Sequence, residues 1–316
     1  MSADILVAVI SGVFGLLVGS FLNVVIARVP AGESILWPGS RCPRCGHALS
    51  WYENVPVLSW LVLRGRCRAC KGPISVRYPA VELLTGTLFV ACALVYGPGW
   101  MLVRALLLTG FLLPLAFIDL EHWIVPVEIA GLGAAAGVLS AIPLGRPTLV
   151  ECAVGAAAGF LLFWAFERIS LFLVVRVIRP AMRALERLVA RLRRAEPPVP
   201  EPDPTEAFGA GDKWILLLVG SFLGWRSLFG VMLLSAVQGA LVGAALLLVH
   251  GRAGPEAPPP GSPATEDGWV PDRTALPYGP WLVLAALQIL LLGPWLAETF
   301  PSPLTSLLTG RPWVPP

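Results

Sequence analysis

The sequence predicts an all-α fold, a polytopic membrane helical bundle of about eight transmembrane helices with a small four-cysteine loop on its cytoplasmic side. Three observations carry this. Of the 316 residues, 56% are apolar and only 14% charged, with a mean hydropathy of +0.75, whereas soluble chains run near a quarter charged. Several uncharged stretches are long enough to cross about 30 Å of hydrocarbon. When these stretches are threaded through a bilayer, the basic residues sort to one side. A single soluble domain, an intrinsically disordered chain and a secreted disulfide scaffold are all excluded.

The elements follow in order. Residues 5–27 are 23 consecutive uncharged positions, about 34 Å as a helix, so residues 1–27 read as the first transmembrane segment. A secretory signal fits less well, because Met1-Ser2-Ala3-Asp4 offers no basic region ahead of the apolar run. Further spans read as 80–97, 100–118, 124–143, 149–167, 213–226, 228–249 and 279–297, with Gly97-Pro98-Gly99 as one of the tight turns. The 213–226 span is short enough to be tilted, re-entrant or shielded by its neighbours.

With the N-terminus outside the cytoplasm, the inner loops are 28–79, 119–123, 168–212 and 250–278, and 19 of the 23 basic residues fall in them or at their edges. Arg104, Arg146, Arg226 and Arg311 remain outside or at the outer rim. The positive-inside rule fixes that orientation. Basic residues beside membrane ends face anionic lipid rather than nucleic acid. Two inner segments look like insertions, 171–205 and 251–273. The first begins with arginines at three-to-four spacing (Arg176, Arg179, Arg183, Arg187), expected to form an amphipathic helix over 171–194 on the inner surface. It continues into a proline-rich stretch that cannot be helical. The second, rich in proline, glycine and acids, reads as a disordered loop.

Inside loop 28–79, Cys42-Pro43-Arg44-Cys45 and Cys67-Arg68-Ala69-Cys70 form two C-x2-C pairs. Each pair offers two thiolates from one turn, and two facing turns supply the tetrahedral sulfur shell that Zn²⁺ prefers. Disulfides are disfavoured in a reducing compartment, and a redox dithiol is the remaining alternative. Cys42, Cys45, Cys67 and Cys70 are thus expected to bind a structural zinc ion. His47 reads as a surface residue that could also support the metal ligands. Cys92 and Cys152 lie in apolar spans and read as small buried side chains.

Asp119 follows an apolar helix in Phe117-Ile118-Asp119-Leu120-Glu121-His122, and Asp212 follows Gly209-Ala210-Gly211 where another helix begins. Both are expected at the inner membrane face, where a carboxylate normally turns toward a polar interior. Gly209 and Gly211 would let the backbone approach closely and take unusual dihedrals. Two aspartates held within a few ångströms share a proton, one serving as base on water and the other polarising a carbonyl. The competing reading is a helix cap for Asp212 and a solvated helix end for Asp119.

Taken together, Gly209-Ala210-Gly211-Asp212, Asp119 and the two-knuckle loop resemble the bifunctional type IV prepilin peptidases, membrane aspartic proteases with a G-x-G-D motif. Flanking stretches agree, including Gly19-Ser20-Phe21-Leu22-Asn23, Trp51-Tyr52-Glu53-Asn54-Val55-Pro56 and Arg77-Tyr78-Pro79-Ala80-Val81-Glu82. The resemblance implies a bacterial inner-membrane enzyme that cuts the basic leader from prepilins and type II secretion pseudopilins at its cytoplasmic face. Asp119 and Asp212 inherit the catalytic roles, supported by the Gly209 and Gly211 loop. It further implies N-methylation of the new terminus with S-adenosylmethionine, an activity associated with loop 28–79, while 80–316 forms the peptidase bundle. Glu53, Glu82, Glu121, Glu128 and Glu206 are candidate counter-charges for a basic leader. The chain departs from the family pattern in having Pro126-Val127-Glu128 where an aspartate is common. It also has Lys213 directly after the second aspartate, with Trp214 where the lysine usually stands. The alternatives are a peptidase without methylation, a non-catalytic zinc-bearing assembly protein and, more distantly, a transporter, for which intramembrane charges are sparse.

Overall fold

The computed structural model describes residues 3–144, 147–193, 211–250 and 276–299, together with Thr305, Leu308 and Thr309. Helix α1 (Ala3–Arg28) leads into the four-cysteine loop, which holds the short α2 (Leu58–Val62). The chain continues through α3 (Arg77–Tyr96), α4 (Trp100–His122), α5 (Val127–Leu139), α6 (Leu149–Leu173), α7 (Arg179–Arg193), α8 (Asp212–Leu223), α9 (Ser227–His250) and α10 (Gly279–Thr299). Among the described residues there are no strands, only the isolated bridges Arg41–Ala48 and Arg66–Pro73. Seven stretches are long and apolar enough to cross a membrane. Side chains such as Val9, Val13, Leu17, Leu132, Leu161 and Leu241 face outward, the surface a lipid solvent requires and water would not tolerate over so wide an area.

The eighth expected span is α8, and its 12 residues reach only about 18 Å. It is shielded by its neighbours. Nine of the 12 residues are buried, and Ile215, Leu216, Leu218, Val219 and Phe222 form one core with Leu108, Leu112 and Leu115 of α4 and Leu282, Ala285 and Ala286 of α10. Against α6 the two backbones touch. A Cβ at Gly155 would strike the Gly220 carbonyl, and one at Gly159 the Leu216 carbonyl, so a small-residue seam lets α8 sink between longer helices.

Two buried polar devices hold the bundle where hydrocarbon offers no water. Pro294 inside α10 cannot donate to the carbonyl four residues back, and the Tyr96 hydroxyl from α3 donates to that carbonyl, Leu290 O, at 2.6 Å. Arg104 of α4, placed by the sequence at the outer rim, is instead fully buried. Its Nη1 donates to Gly137 O and Ser140 Oγ, both at 2.5 Å. Its Nη2 donates to Ser221 O at 2.9 Å, Phe222 O at 3.0 Å and Cys152 Sγ at 3.2 Å. These carbonyls close the last turns of α5 and α8, where intrahelical donors run out and the helix dipole is negative. Cys152 is therefore more than a small apolar filler, because its sulfur accepts from this guanidinium.

The expected surface helix over 171–194 is not a separate element. Instead, α6 runs through a single π turn, Val174–Ile178, straight into α7. Pro180 is the physical reason for the turn: it lacks the N–H for Arg176 O and its ring crowds that carbonyl, and the widened turn just before it absorbs the misfit. The remainder of the first insertion, from 194 to 205, and the expected loop at 251–273 lie outside the described residues.

Candidate active site

Helix α4 carries Asp119 in its last turn, closed by Trp123 in the left-handed conformation (φ 58°), whose N–H donates to Asp119 O at 2.9 Å. The following turn, 123–126, bends back across the start of α8. There a Cβ on Gly211 would sit 2.6 Å from the Val125 Cβ, so only glycine allows the backbone before Asp212 to lie against that turn. Gly211 keeps ordinary helical dihedrals (φ −80°, ψ −27°), correcting the expectation of unusual ones: the requirement is space. Gly209 and Glu206 lie outside the described residues.

Both aspartates are buried, Asp119 at 6% and Asp212 at 3% exposure, and they lie within electrostatic reach of each other. Neither is a solvated helix end. The N-cap of α8 is Gly211 and Asp212 is the helix's first residue, where the helix N-terminus favours negative charge. A third element closes the site. The Gly279 N–H at the start of α10 faces the Asp119 carboxyl, and a Cβ on Gly279 would run into Asp119 Oδ2 and lie 2.9 Å from Ile215 Cδ1, one turn into α8. Asp119 Oδ2 and Asp212 Oδ2 are buried with no hydrogen-bond partner among the described residues, an arrangement suited to binding a water or a substrate group.

Around the pair, Lys213 Nζ stands 3.5 Å from Glu167 Oε2, and the Glu167 charge also reaches Asp212. Trp214 packs edge-on against Phe160, with ring centroids 5.0 Å apart. The departure at 213–214 is thus accommodated: the lysine finds a buried acid on α6 and the tryptophan an aromatic neighbour. Tyr278 stacks on Phe163, shares a 2.7 Å hydrogen bond with Ser235 and lies within electrostatic reach of Asp212.

The four-cysteine loop folds as two matching turns. Cys42 N–H donates to His47 O and Cys67 N–H to Gly72 O, at 2.9 and 2.8 Å. The residue after each second cysteine is left-handed, Gly46 at φ 72° and Lys71 at φ 58°. All four sulfurs lie within 4.8 Å of one another. The Cys42–Cys70 and Cys45–Cys67 separations of 3.9 and 4.0 Å are far longer than a disulfide and close to the edge of about 3.8 Å implied by tetrahedral zinc–sulfur bonds. Backbone N–H groups of Cys45 and Arg44 pull the Cys42 thiol down to about 6. Cys45 is pushed up to about 11: the His47 N–H acts to lower it, but desolvation and the sulfurs of Cys70, Cys42 and Cys67 prevail. His47 makes a 3.2 Å bond to Glu53, whose carboxyl the Ser50 N–H and His47 hold below the usual range despite its desolvation.

Residues 13–96 match the Bacterial Peptidase A24 N-terminal domain, and residues 106–244 match the Type IV leader peptidase family. A Prepilin leader peptidase/N-methyltransferase of Myxococcus xanthus is 44% identical over 97% of this chain and 96% of its own length. The chain belongs to the type IV leader peptidase family. Proteins of the same name from Aeromonas hydrophila and Stutzerimonas stutzeri are 34% and 31% identical, over 89% and 91% of this chain and the same shares of their own lengths. No solved structure matches. The family's two matched regions divide the observed architecture sensibly, the first covering most of α1, the cysteine loop and α3, the second running from α4 into α9.

Sequence reasoning singled out Asp119, Asp212 and the four cysteines; the structure sets the four sulfurs within 4.8 Å of one another and the two aspartates within electrostatic reach of each other. It missed Glu167, Tyr278 and Gly279. A glutamate at the end of an apolar helix and a Tyr-Gly pair before another carry no local signal, and only packing turns them toward the aspartates. Of the counter-charge candidates, Glu53 and Glu82 are buried and Glu121 pairs with Arg77 at 2.9 Å, while Glu128 is exposed.

Proposed function

We propose that the chain cleaves the basic leader of prepilins and type II secretion pseudopilins with Asp119 and Asp212, and N-methylates the residue this exposes. The reading rests above all on one observation: two buried carboxyls from helix ends 93 positions apart in sequence lie within electrostatic reach of each other, each with an oxygen free to bind. A water between them gives its proton to one carboxylate as it attacks the scissile carbonyl. The other, protonated, donates to the carbonyl oxygen and supports the tetrahedral intermediate. Gly279 N–H and the start of α8 orient the two groups. The basic loops support an orientation with this end of the bundle in the cytoplasm of a bacterium and the N-terminus across the inner membrane. Arg28, Arg77, Glu121 and Lys213 all lie at this end.

We further assign loop 28–79 to methylation and 80–316 to the peptidase bundle, with a structural zinc on Cys42, Cys45, Cys67 and Cys70. The sulfur spacing and the low Cys42 thiol fit that ion; it would cross-link the two turns and take no part in peptide cleavage. S-adenosylmethionine supplies an electrophilic methyl group. The test is mass spectrometry of a pilin co-expressed with the enzyme. We expect a mature pilin that has lost its leader and gained 14 Da, about the mass of one CH₂. A Cys42→Ser/Cys67→Ser variant should bind no zinc and leave the pilin cleaved but unmethylated. Uncleaved prepilin with the wild type would leave only the non-catalytic assembly reading, and cleaved, unmethylated pilin would reduce the enzyme to a peptidase.

A smaller change tests the geometry. Gly279→Ala adds one methyl group where Asp119 Oδ2 stands, while alanine is itself a better helix former than glycine. Displacing a reacting group by an ångström costs roughly 100-fold. Leader release should therefore fall by about that factor with the melting temperature held; unchanged release would show that α10 does not position Asp119.

A further inference from the structure

A cavity of about 980 Å³ lies between the cysteine loop and the adjoining ends of α1 and α3, at the upper end of the range for small-molecule sites. All of its lining residues fall between Ser20 and Glu82, so it is separate from the aspartate pair. Its floor holds Glu82, 7% exposed, whose Oε2 accepts from Val57 N–H at 2.7 Å. No described cation pairs with this carboxylate. Glu53, by contrast, already has His47 and the Ser50 N–H. A buried carboxylate that lines a cavity and is itself paired with no cation is complementary to a positively charged ligand.

The rim supplies the rest of a recognition pattern. Arg41 and Glu33 both line the cavity, both are exposed, and neither side chain bonds to a described residue. Together they offer opposite charges for the carboxylate and ammonium of an amino acid. Trp37 also lines the cavity, 79% exposed, and presents a broad aromatic face suited to a planar base. Arg77, another lining residue, is paired with Glu121 of α4, two positions beyond Asp119. The wall of the cavity is therefore tied to the helix that carries the cleavage site, so an amine made at one has a short route to the other.

We propose that this cavity is the S-adenosylmethionine site, with Glu82 facing the sulfonium, Arg41 and Glu33 holding the amino-acid arm and Trp37 covering the adenine. The assignment rests on the methylation reading above. It makes a charge-specific demand: the methylated donor is a cation at sulfur, whereas its demethylated product, S-adenosylhomocysteine, is neutral there.

Equilibrium binding of tritiated S-adenosylmethionine and of S-adenosylhomocysteine to the full-length protein in lipid nanodiscs tests it. Glu82→Gln should weaken the donor about tenfold and hardly affect the product, since only the donor loses an opposite charge. The exposed Arg41→Met should weaken both about tenfold, and Arg64→Met, on the loop but outside the cavity, neither. Equal effects of Glu82→Gln on both ligands, or wild-type binding by both Glu82→Gln and Arg41→Met, would overturn the site. Ultraviolet cross-linking of the donor followed by peptide mapping gives a second readout, expected within residues 20–82. A cross-link elsewhere in an enzyme that still methylates pilin removes this site and leaves the methylation reading. A wild type that neither binds the donor nor transfers methyl removes both.

Discussion

Asp119→Asn and Asp212→Asn should each lower leader release by about 1,000-fold or more, the range for loss of a positioned acid or base. Asparagine keeps the shape of aspartate but can neither take the proton from water nor exist as a protonated donor. Both positions are buried and neither oxygen left unpartnered is holding the fold together, and an amide is cheaper to bury than a carboxylate. The variants should thus melt at or above the wild-type temperature. Because the two groups act as one unit, the double variant should be no slower than either single one. Purified protein, a prepilin in detergent and a gel that resolves the leader decide it. Cleavage at the wild-type rate by either variant would remove that aspartate from the chemistry.

Arg104→Met should produce the largest loss of stability of any single change outside the site. The guanidinium satisfies carbonyls of Gly137, Ser221 and Phe222 together with Ser140 and Cys152. Each buried carbonyl left without a donor costs about 1–3 kcal/mol, so a total of about 3–5 kcal/mol is expected, in the range for breaking a buried charged network. Arg104→Lys should recover only part, because a point ammonium cannot fork between two helix ends. Unfolding in detergent, followed by circular dichroism, measures both. A methionine variant as stable as the wild type would mean that the α5 and α8 ends find other donors. Leader release in the lysine variant should track the folded fraction, which separates this residue from the aspartate pair.

Much of the architecture was legible because a bilayer leaves few choices. Each span must be apolar for about 20 residues, and basic residues are kept on one side, so hydropathy and charge together place the helices and their ends. The cysteine spacing was legible for a similar reason: C-x2-C within one turn fixes two sulfurs locally, and the structure needed only to set the two turns face to face. The failures have physical causes as well. Arg104 looked like a rim residue because a sequence gives membrane depth but not rotation about the helix axis, and its partners come from α5, α6 and α8. The surface helix expected over 171–194 was read from a stripe of arginines, a pattern that looks the same on a helix lying on a membrane and on one continuing out of it. Gly279 stood one residue from an ordinary tyrosine with no motif around it, and its importance comes from the carboxyl that packs against its missing side chain.

By itself, then, the sequence determined that this is a helical membrane protein, which ends of its helices share a face, and that Asp119 and Asp212 stand at that face beside a four-thiol loop. Those properties follow from composition and local spacing. Tertiary structure alone decided that the two aspartates are buried within electrostatic reach of each other, that Gly211 and Gly279 must lack side chains, that Glu167 answers Lys213, and that Glu82 looks into a cavity. Each of these depends on packing between helices far apart in the chain, where close contact is set by the small residues and buried polar groups that a bilayer cannot solvate.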